Sequence, residues 1–102
     1  MSFRRRFADV VSRQLDLFAE DSAAVLADVD AAERRYDAAD RDEAEELYGD
    51  YLDVAATGTD VLVELRDTYA STLDEGAAAE YVGAFNRAAA KRFPKLALEL
   101  DD

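Results

Sequence analysis

The chain has 102 residues, a length that suits one folded domain and leaves no room for two. It contains no cysteine, which excludes disulfides and thiol chemistry, and no histidine, the commonest general base and transition-metal ligand. The 24 acidic residues outnumber the 12 lysines and arginines, so the net charge of −12 should repel nucleic acid, which is itself a polyanion.

Composition favours helices. Alanine accounts for 21 of the hydrophobic residues, and four glycines with one proline leave few positions for the turns of a sheet. No uncharged stretch exceeds six residues, so the sequence predicts no transmembrane segment, and we expect a cytoplasmic protein. We therefore predict an all-α fold in a single domain over residues 1–102.

The first predicted helix covers about residues 4–38. Apolar positions recur there at alternating steps of four and three, the spacing of a helix face packed as in a coiled coil. We call this face the first stripe, and it consists of Val11, Leu15, Phe18, Ser22, Val25, Val29, Ala32 and Tyr36. Only Ser22 is polar, so the helix has one weak position on its inner face.

The second predicted helix covers about residues 41–73. Asp40 precedes Glu43 by three residues, as in a capping box, so we expect the chain to turn near residue 40. The second stripe consists of Leu47, Tyr51, Val54, Gly58, Val61, Leu65 and Thr68. It is widened by Leu52, Ala55, Leu62, Tyr69 and Leu73.

A shorter third helix is predicted over about residues 77–93. Asp74 is a suitable N-cap, and Pro94 disfavours helix at the residue before it, so the helix should end there. Residues 94–102 then form a short C-terminal tail, in which Leu96, Leu98 and Leu100 alternate with other residues. The tail is either a last turn or an apolar strap laid over the bundle.

Helix length predicts an elongated molecule. Two helices of about 35 residues would each be ~50 Å long, whereas a compact chain of this size is about 30 Å across. The two long helices should therefore form an antiparallel hairpin that the third helix covers only in part. The uncovered apolar surface suggests that dimerisation completes the bundle.

Ser22 and Gly58 fall at the same level of such a hairpin. Continuous helices would give a close crossing or a shared kink at this level. The alternative is that both helices break, with Ser22 and Thr59 as N-caps, which would give a compact bundle of four or five helices.

Two groups of residues are candidates for interaction. Arg4, Arg5 and Arg6 are either a basic tag for an acidic partner or cations that are paired locally beside residues 74–76. Tyr48 and Tyr51 flank Gly49, an arrangement that either admits a ligand or helix or simply lines the core.

No residue pattern points to catalytic, cofactor-binding or metal-binding residues, and we expect none. The leading hypothesis is a non-enzymatic helical module that self-associates, as a homodimer, and mediates protein–protein interaction. The alternative is an acidic regulatory partner, antitoxin-like or a nucleic-acid mimic, that binds the basic surface of another protein. A bundle that holds a metal or small ligand through carboxylates ranks third, and we do not expect peripheral membrane contact.

Overall fold

The computed structural model describes residues 6–96, and four helices contain most of them. The helices are α1 (Ala8–Asp21), α2 (Ala23–Asp37), α3 (Arg41–Ala70) and α4 (Glu75–Arg92). No strand occurs within residues 6–96, so the predicted all-α class is confirmed. The chain turns between α2 and α3 at residues 38–40, where the sequence predicts the turn.

The first predicted helix is divided at Ser22 into α1 and α2, so residues 6–96 contain four helices where the sequence predicts three. Ser22 leaves helical geometry at φ −109° and ψ 24°. Its N–H nevertheless donates to the carbonyl of Phe18 at 2.8 Å, and its carbonyl accepts from the N–H of Leu26 at 3.0 Å. The division is therefore a kink. The Ser22 side chain makes no cap hydrogen bond, so the alternative in which Ser22 caps a separate helix through its side chain is wrong.

Helix α3 runs without interruption through Gly58 and Thr59. The alternative in which both long helices break is therefore wrong for this helix. Asp40 occupies the N-cap position with an extended backbone, but its side chain makes no cap hydrogen bond, so the predicted capping box does not form. The carboxylates of Asp42 and Glu43 still stabilise the first turn through the helix dipole.

Helix α4 is limited at both ends by the residues that the sequence indicates. It begins at Glu75, slightly earlier than predicted, and the carboxylate of Asp74 accepts the N–H of Ala77 at 2.8 Å as its N-cap. It ends at Arg92, two residues before Pro94, whose ring disfavours helical geometry at the preceding position.

The packing of α1 differs from the predicted hairpin. Phe7, just before α1, lies edge-on to Tyr81 with ring centroids 5.5 Å apart, and Phe18 lies edge-on to Phe93 at 5.1 Å. Helix α1 therefore runs parallel to α4 and packs on it, whereas the predicted hairpin places α1 directly against α3. The α2–α3 pair keeps the predicted antiparallel hairpin.

The molecule is elongated, as the helix lengths predict. Its principal extents are 53 × 25 × 23 Å, and its radius of gyration is 15.6 Å, against about 13 Å for a compact chain of this length. Helices α1, α4 and the C-terminal half of α3 share one core. At the other end, α2 and the N-terminal half of α3 extend as a two-helix hairpin.

Tyr81 is the centre of the three-helix core and is fully buried. Its ring packs against Phe7, Tyr69 and Phe85. The hydroxyl donates to Oε1 of Gln14 on α1 at 2.7 Å, so the one polar atom of the ring has a partner. Burial raises the pKa of the Tyr81 hydroxyl to about 12, and the hydrogen bond to Gln14 opposes part of that rise.

Leu96 closes the bundle over the middle of α3. It is buried against Gly58, where an added Cβ would lie only 3.0 Å from the Leu96 Cδ1 atom. The hydroxyl of Thr59 lies 2.6 Å from the carbonyl oxygen of Leu96 and donates to it. Residues 94–96 form a turn that packs Leu96 over α3, and we call this segment the strap; Leu98 and Leu100 lie outside the described residues.

Lys95 fixes the strap to α2. Its ammonium group lies 2.6 Å from a carboxylate oxygen of Glu33 and 3.1 Å from one of Asp30. The hydrogen bonds to Glu33 and then Asp30 raise the pKa of Lys95, so the ammonium form is favoured in the folded chain. The strap thereby links α2, α3 and the end of α4.

Two glycines in the interior of α3 should respond differently to alanine. A Cβ at Gly49 would meet nothing within 4 Å, so Gly49→Ala should raise the free energy of unfolding by about 0.5–1 kcal/mol through helix propensity. Gly58→Ala should give no such gain, because the new Cβ would push the Leu96 side chain back by a few tenths of an ångström and loosen its packing. Urea denaturation at low protein concentration, followed by circular dichroism, measures both.

The control removes the strap contact. In a Leu96→Ala background the space over Gly58 is open, so Gly58→Ala should become as stabilising as Gly49→Ala. A stabilising Gly58→Ala in the otherwise unchanged chain would contradict the packing of Leu96.

Raising the pH above 10 should reveal how much Tyr81 contributes to the free energy of unfolding. Its pKa is raised from the ordinary 10.0 to about 12, so its contribution to stability is complete below pH 10 and is lost as pH rises towards 12. In Tyr81→Phe the decline over this range should be shallower by up to about 2–3 kcal/mol. The control is Tyr36→Phe, since Tyr36 is exposed. Equal declines for the two variants would refute the assignment.

Candidate functional site

Large apolar side chains are exposed at two places on the described part of the chain. They are Leu17, Tyr36, Tyr48, Leu52 and Val61. Tyr36, Tyr48 and Leu52 lie on the two-helix end of the molecule, whereas Leu17 and Val61 lie on α1 and on the C-terminal half of α3. Because the other large apolar residues of the two stripes are buried or half-buried, these two places are candidates for binding surfaces.

The predicted arginine cluster is described only at Arg6, since Arg4 and Arg5 lie outside the described residues. Arg6 donates to a carboxylate oxygen of Glu80 on α4 at 3.3 Å, farther along the chain than the predicted hairpin register places its partner. Its guanidinium also lies over the ring of Phe7, 5.1 Å from the centroid. Phe7 itself is part of the core. Arg6 is therefore paired within the chain.

The two predicted tyrosines differ in environment. The ring centroid of Tyr48 lies 5.2 Å from that of Tyr36 and 6.2 Å from that of Tyr51, so three tyrosines form one cluster. Tyr48 is 45% exposed, and Tyr51 is half-buried. Burial raises the pKa of the Tyr51 hydroxyl, and the nearby carboxylate of Glu33 raises it further. Tyr48 is thus exposed to a partner, and the half-buried ring of Tyr51 packs beside it.

An acidic helix face surrounds Tyr48. Residues 37–53 contain eight acids and one arginine, for a net charge of −7. Tyr48 and Leu52 are one turn apart on α3 and are 45% and 42% exposed. Gly49 lies beside them, and the exposed carboxylates of Glu45 and Asp53 border them. We call Glu45, Tyr48, Gly49, Leu52 and Asp53 the acidic tip face.

A groove of about 500 Å³ opens between α1 and α3. It is lined by Gln14 on α1 and by Val61, Glu64, Leu65, Thr68, Tyr69 and Thr72 on α3. Glu64 is the only charged residue among these lining residues, so we call this the neutral groove. Leu17 follows Gln14 by one turn and extends the apolar surface along α1.

The neutral groove exists because the buried face of α3 changes along the helix. In the C-terminal half, Leu62 is fully buried and Val61 is 39% exposed, although the second stripe predicts Val61 as the inner position. Leu65 is half-buried, and Thr68 is exposed. Helix α1 packs on α4, and these stripe positions consequently lack the cover that the hairpin register predicts.

A second groove, of about 470 Å³, lies between α1 and α4. Its lining residues are Ala8, Val11, Ser12, Leu15, Ala84, Arg87, Ala88, Lys91 and Arg92. Val11 and Leu15 are each only 2% exposed, and Ala8, Ala84 and Ala88 form part of the walls. Because all three charged residues that line it are cations, we call it the cationic groove.

Sequence reasoning missed the cationic groove because it did not pair α1 with α4. A signal for it was present on α4 alone. Ala84 and Ala88 are one turn apart, as are Arg87 and Lys91, so one face of α4 carries small and cationic residues side by side.

Metal-binding and membrane-spanning features are absent from the described part of the chain. No three aspartates or glutamates between residues 6 and 96 converge closely enough to hold a metal ion. No helix in that range has the length and apolar character needed to cross a bilayer.

No protein-family model matches the sequence, and no similar curated protein or solved structure was found. The two grooves and the acidic tip face are therefore the basis for assigning a function.

Proposed function

We propose that this chain is a non-enzymatic helical interaction module whose copies associate through their neutral grooves as a homodimer. The observation that carries the proposal is the uncovered second stripe. Val61 and Leu17 are 39% and 52% exposed beside a groove that needs another helix to fill it. A second copy supplies such a helix and completes a four-helix arrangement.

Charge favours this groove for a symmetric dimer. A two-fold axis places the same surface patch of both subunits against each other. In the neutral groove that axis brings together mostly apolar and uncharged polar side chains, and Glu64 is the one charged lining residue of each copy. In the cationic groove it would oppose Arg87 and Lys91 to their own copies, which is repulsive.

The apolar surface available is enough to bias association. Burying a large apolar side chain fully contributes about 1.5–3 kcal/mol. Val61, Leu65 and Leu17 are already partly buried, so each would contribute only a fraction of that, but the contribution is made by three side chains in each of two subunits. The net charge of −12 on each copy opposes association at long range. Added salt screens this repulsion, so the symmetric dimer should tighten as salt increases.

A charged side chain in the neutral groove should separate the subunits. We expect Val61→Arg to raise the dimer dissociation constant about tenfold or more, because the guanidinium cannot be desolvated against an apolar surface. Sedimentation velocity over a range of concentrations measures the constant.

The matched control is Ala27→Arg, which adds the same charge at an exposed position of α2. It should leave the constant unchanged. An unchanged chain that stays monomeric at tens of micromolar would refute the proposed dimer.

A second candidate function is supported by the acidic tip face. Its charge and its exposed Tyr48 and Leu52 suit a partner with a basic, partly apolar surface, as expected of an acidic regulatory protein. This function does not require a dimer, so the oligomeric state discriminates between the two candidates.

The second candidate can be tested with a synthetic amphipathic helix of lysine and leucine. Backbone amide shifts should change around Tyr48 and Leu52 and fade as salt is raised, because exposed ion pairs are screened. A matched helix with glutamate in place of lysine should produce no shifts. Changes spread over all acidic residues alike would contradict a specific site at the tip.

A further inference from the structure

The cationic groove lies between two helices and is lined by small and cationic side chains. Helices α1 and α4 run parallel. Val11 and Leu15 at the base of the groove are already buried, so the surface open to a partner is formed by Ala8, Ser12, Ala84 and Ala88 beside the cations. Ala84 and Ala88 keep the α4 wall low, so the trough is shallow enough for the side chains of another helix to enter.

The rim of this groove carries positive charge that the described residues do not neutralise. Arg92 donates to a carboxylate oxygen of Asp16 at 2.7 Å, but among residues 6–96 neither Arg87 nor Lys91 has a carboxylate within ion-pair distance. Arg87 and Lys91 are one helical turn apart, a spacing at which like charges destabilise a helix. On a chain of net charge −12 this arrangement favours an acidic partner.

The acidic tip face has the complementary properties. It presents Tyr48 and Leu52, both more than 40% exposed. The carboxylates of Glu45 and Asp53 border these side chains as Arg87 and Lys91 border the groove. An apolar ridge between acids thus matches an apolar trough beside cations.

Gly49 is an independent indication that a helix approaches this face. Glycine in a helix interior is unfavourable relative to alanine. Gly58, in the same helix, is explained by Leu96, which fills the space above it. Around Gly49 no atom of the described chain lies within 4 Å of an added Cβ. A missing side chain beside Leu52 permits close backbone approach by an external helix.

We propose that the acidic tip face of one copy docks into the cationic groove of a second copy. The groove is in the three-helix part of the molecule and the tip face is on the two-helix end, so each copy offers both surfaces to neighbours. Such head-to-tail contacts form a ring or an open chain. Like the proposed dimer, this contact joins two copies of the chain. It is otherwise independent of the dimer, because it uses neither Val61 nor the neutral groove.

Charge exchange tests the contact in a Val61→Arg background, which removes the symmetric dimer. Arg87→Glu with Lys91→Glu makes both surfaces of one variant acidic, and Glu45→Lys with Asp53→Lys makes both surfaces of the other basic. Each variant alone should be monomeric at low salt by sedimentation velocity. An equal mixture should associate about tenfold more tightly than either alone, because each tip then meets an opposite groove.

Matched controls carry the same charge changes on other exposed surfaces. Arg34→Glu with Arg35→Glu, and Glu20→Lys with Asp28→Lys, should leave head-to-tail association intact. Gly49→Ala should weaken it while the monomer becomes more stable. A mixture that stays monomeric, or controls that abolish association equally, would overturn the proposal. Because the Val61→Arg background removes the symmetric dimer, neither result bears on the dimer proposed above, which is tested separately by Val61→Arg itself.

Cross-linking provides a measurement that does not depend on the charge variants. The chain has no cysteine, so a disulfide can form only between introduced residues. Ser12→Cys in the groove of one copy and Ala56→Cys beside the tip face of another should form a mixed disulfide under mild oxidation. Ala27→Cys in place of Ala56→Cys should not. Equal yields from the two pairs would contradict the contact.

Discussion

Burial of the first stripe, from Val11 to Ala32, is the constraint on which the rest of the structure depends. No single helix covers the whole stripe. Helix α3 covers its α2 part, and α4 covers its α1 part. The kink at Ser22 lies at the change of partner, and because the hydrogen bonds continue on both sides of it, the chain changes direction without losing its helical ladder.

The exposed surfaces follow from this change of partner. Where α1 leaves α3, Val61 and Leu65 lose cover and the neutral groove opens. Where α1 meets α4, small residues on both helices create the cationic groove. Where α4 ends before Pro94, no residue between 93 and 96 extends along the side of α3 that carries Tyr48 and Leu52. Each candidate surface is thus produced by the end or divergence of a helix.

The sequence predicts the local features well, because they depend on neighbouring residues. The turn near Asp40, the cap at Asp74 and the end of α4 before Pro94 all follow from short-range chemistry. The pairing of α1 with α4 could not be predicted in this way, since it joins residues more than sixty positions apart. Helices α3 and α4 each offer α1 an apolar face, and which of them α1 packs on depends on packing in three dimensions. Tyr48 was found through its neighbour Gly49, but the two grooves needed that long-range packing.

The two interior glycines of α3 differ in what fills the space left by the missing side chain. Each lacks a side chain where alanine would favour the helix, by about 1 kcal/mol. At Gly58 the loss is offset inside the chain, because Leu96 packs into the space and Thr59 holds its carbonyl. At Gly49 no part of the described chain occupies the space. Among residues 6–96 the cost of Gly49 is therefore not offset, and the proposed contact accounts for it, because a second copy packed on the exposed Tyr48 and Leu52 would occupy this space.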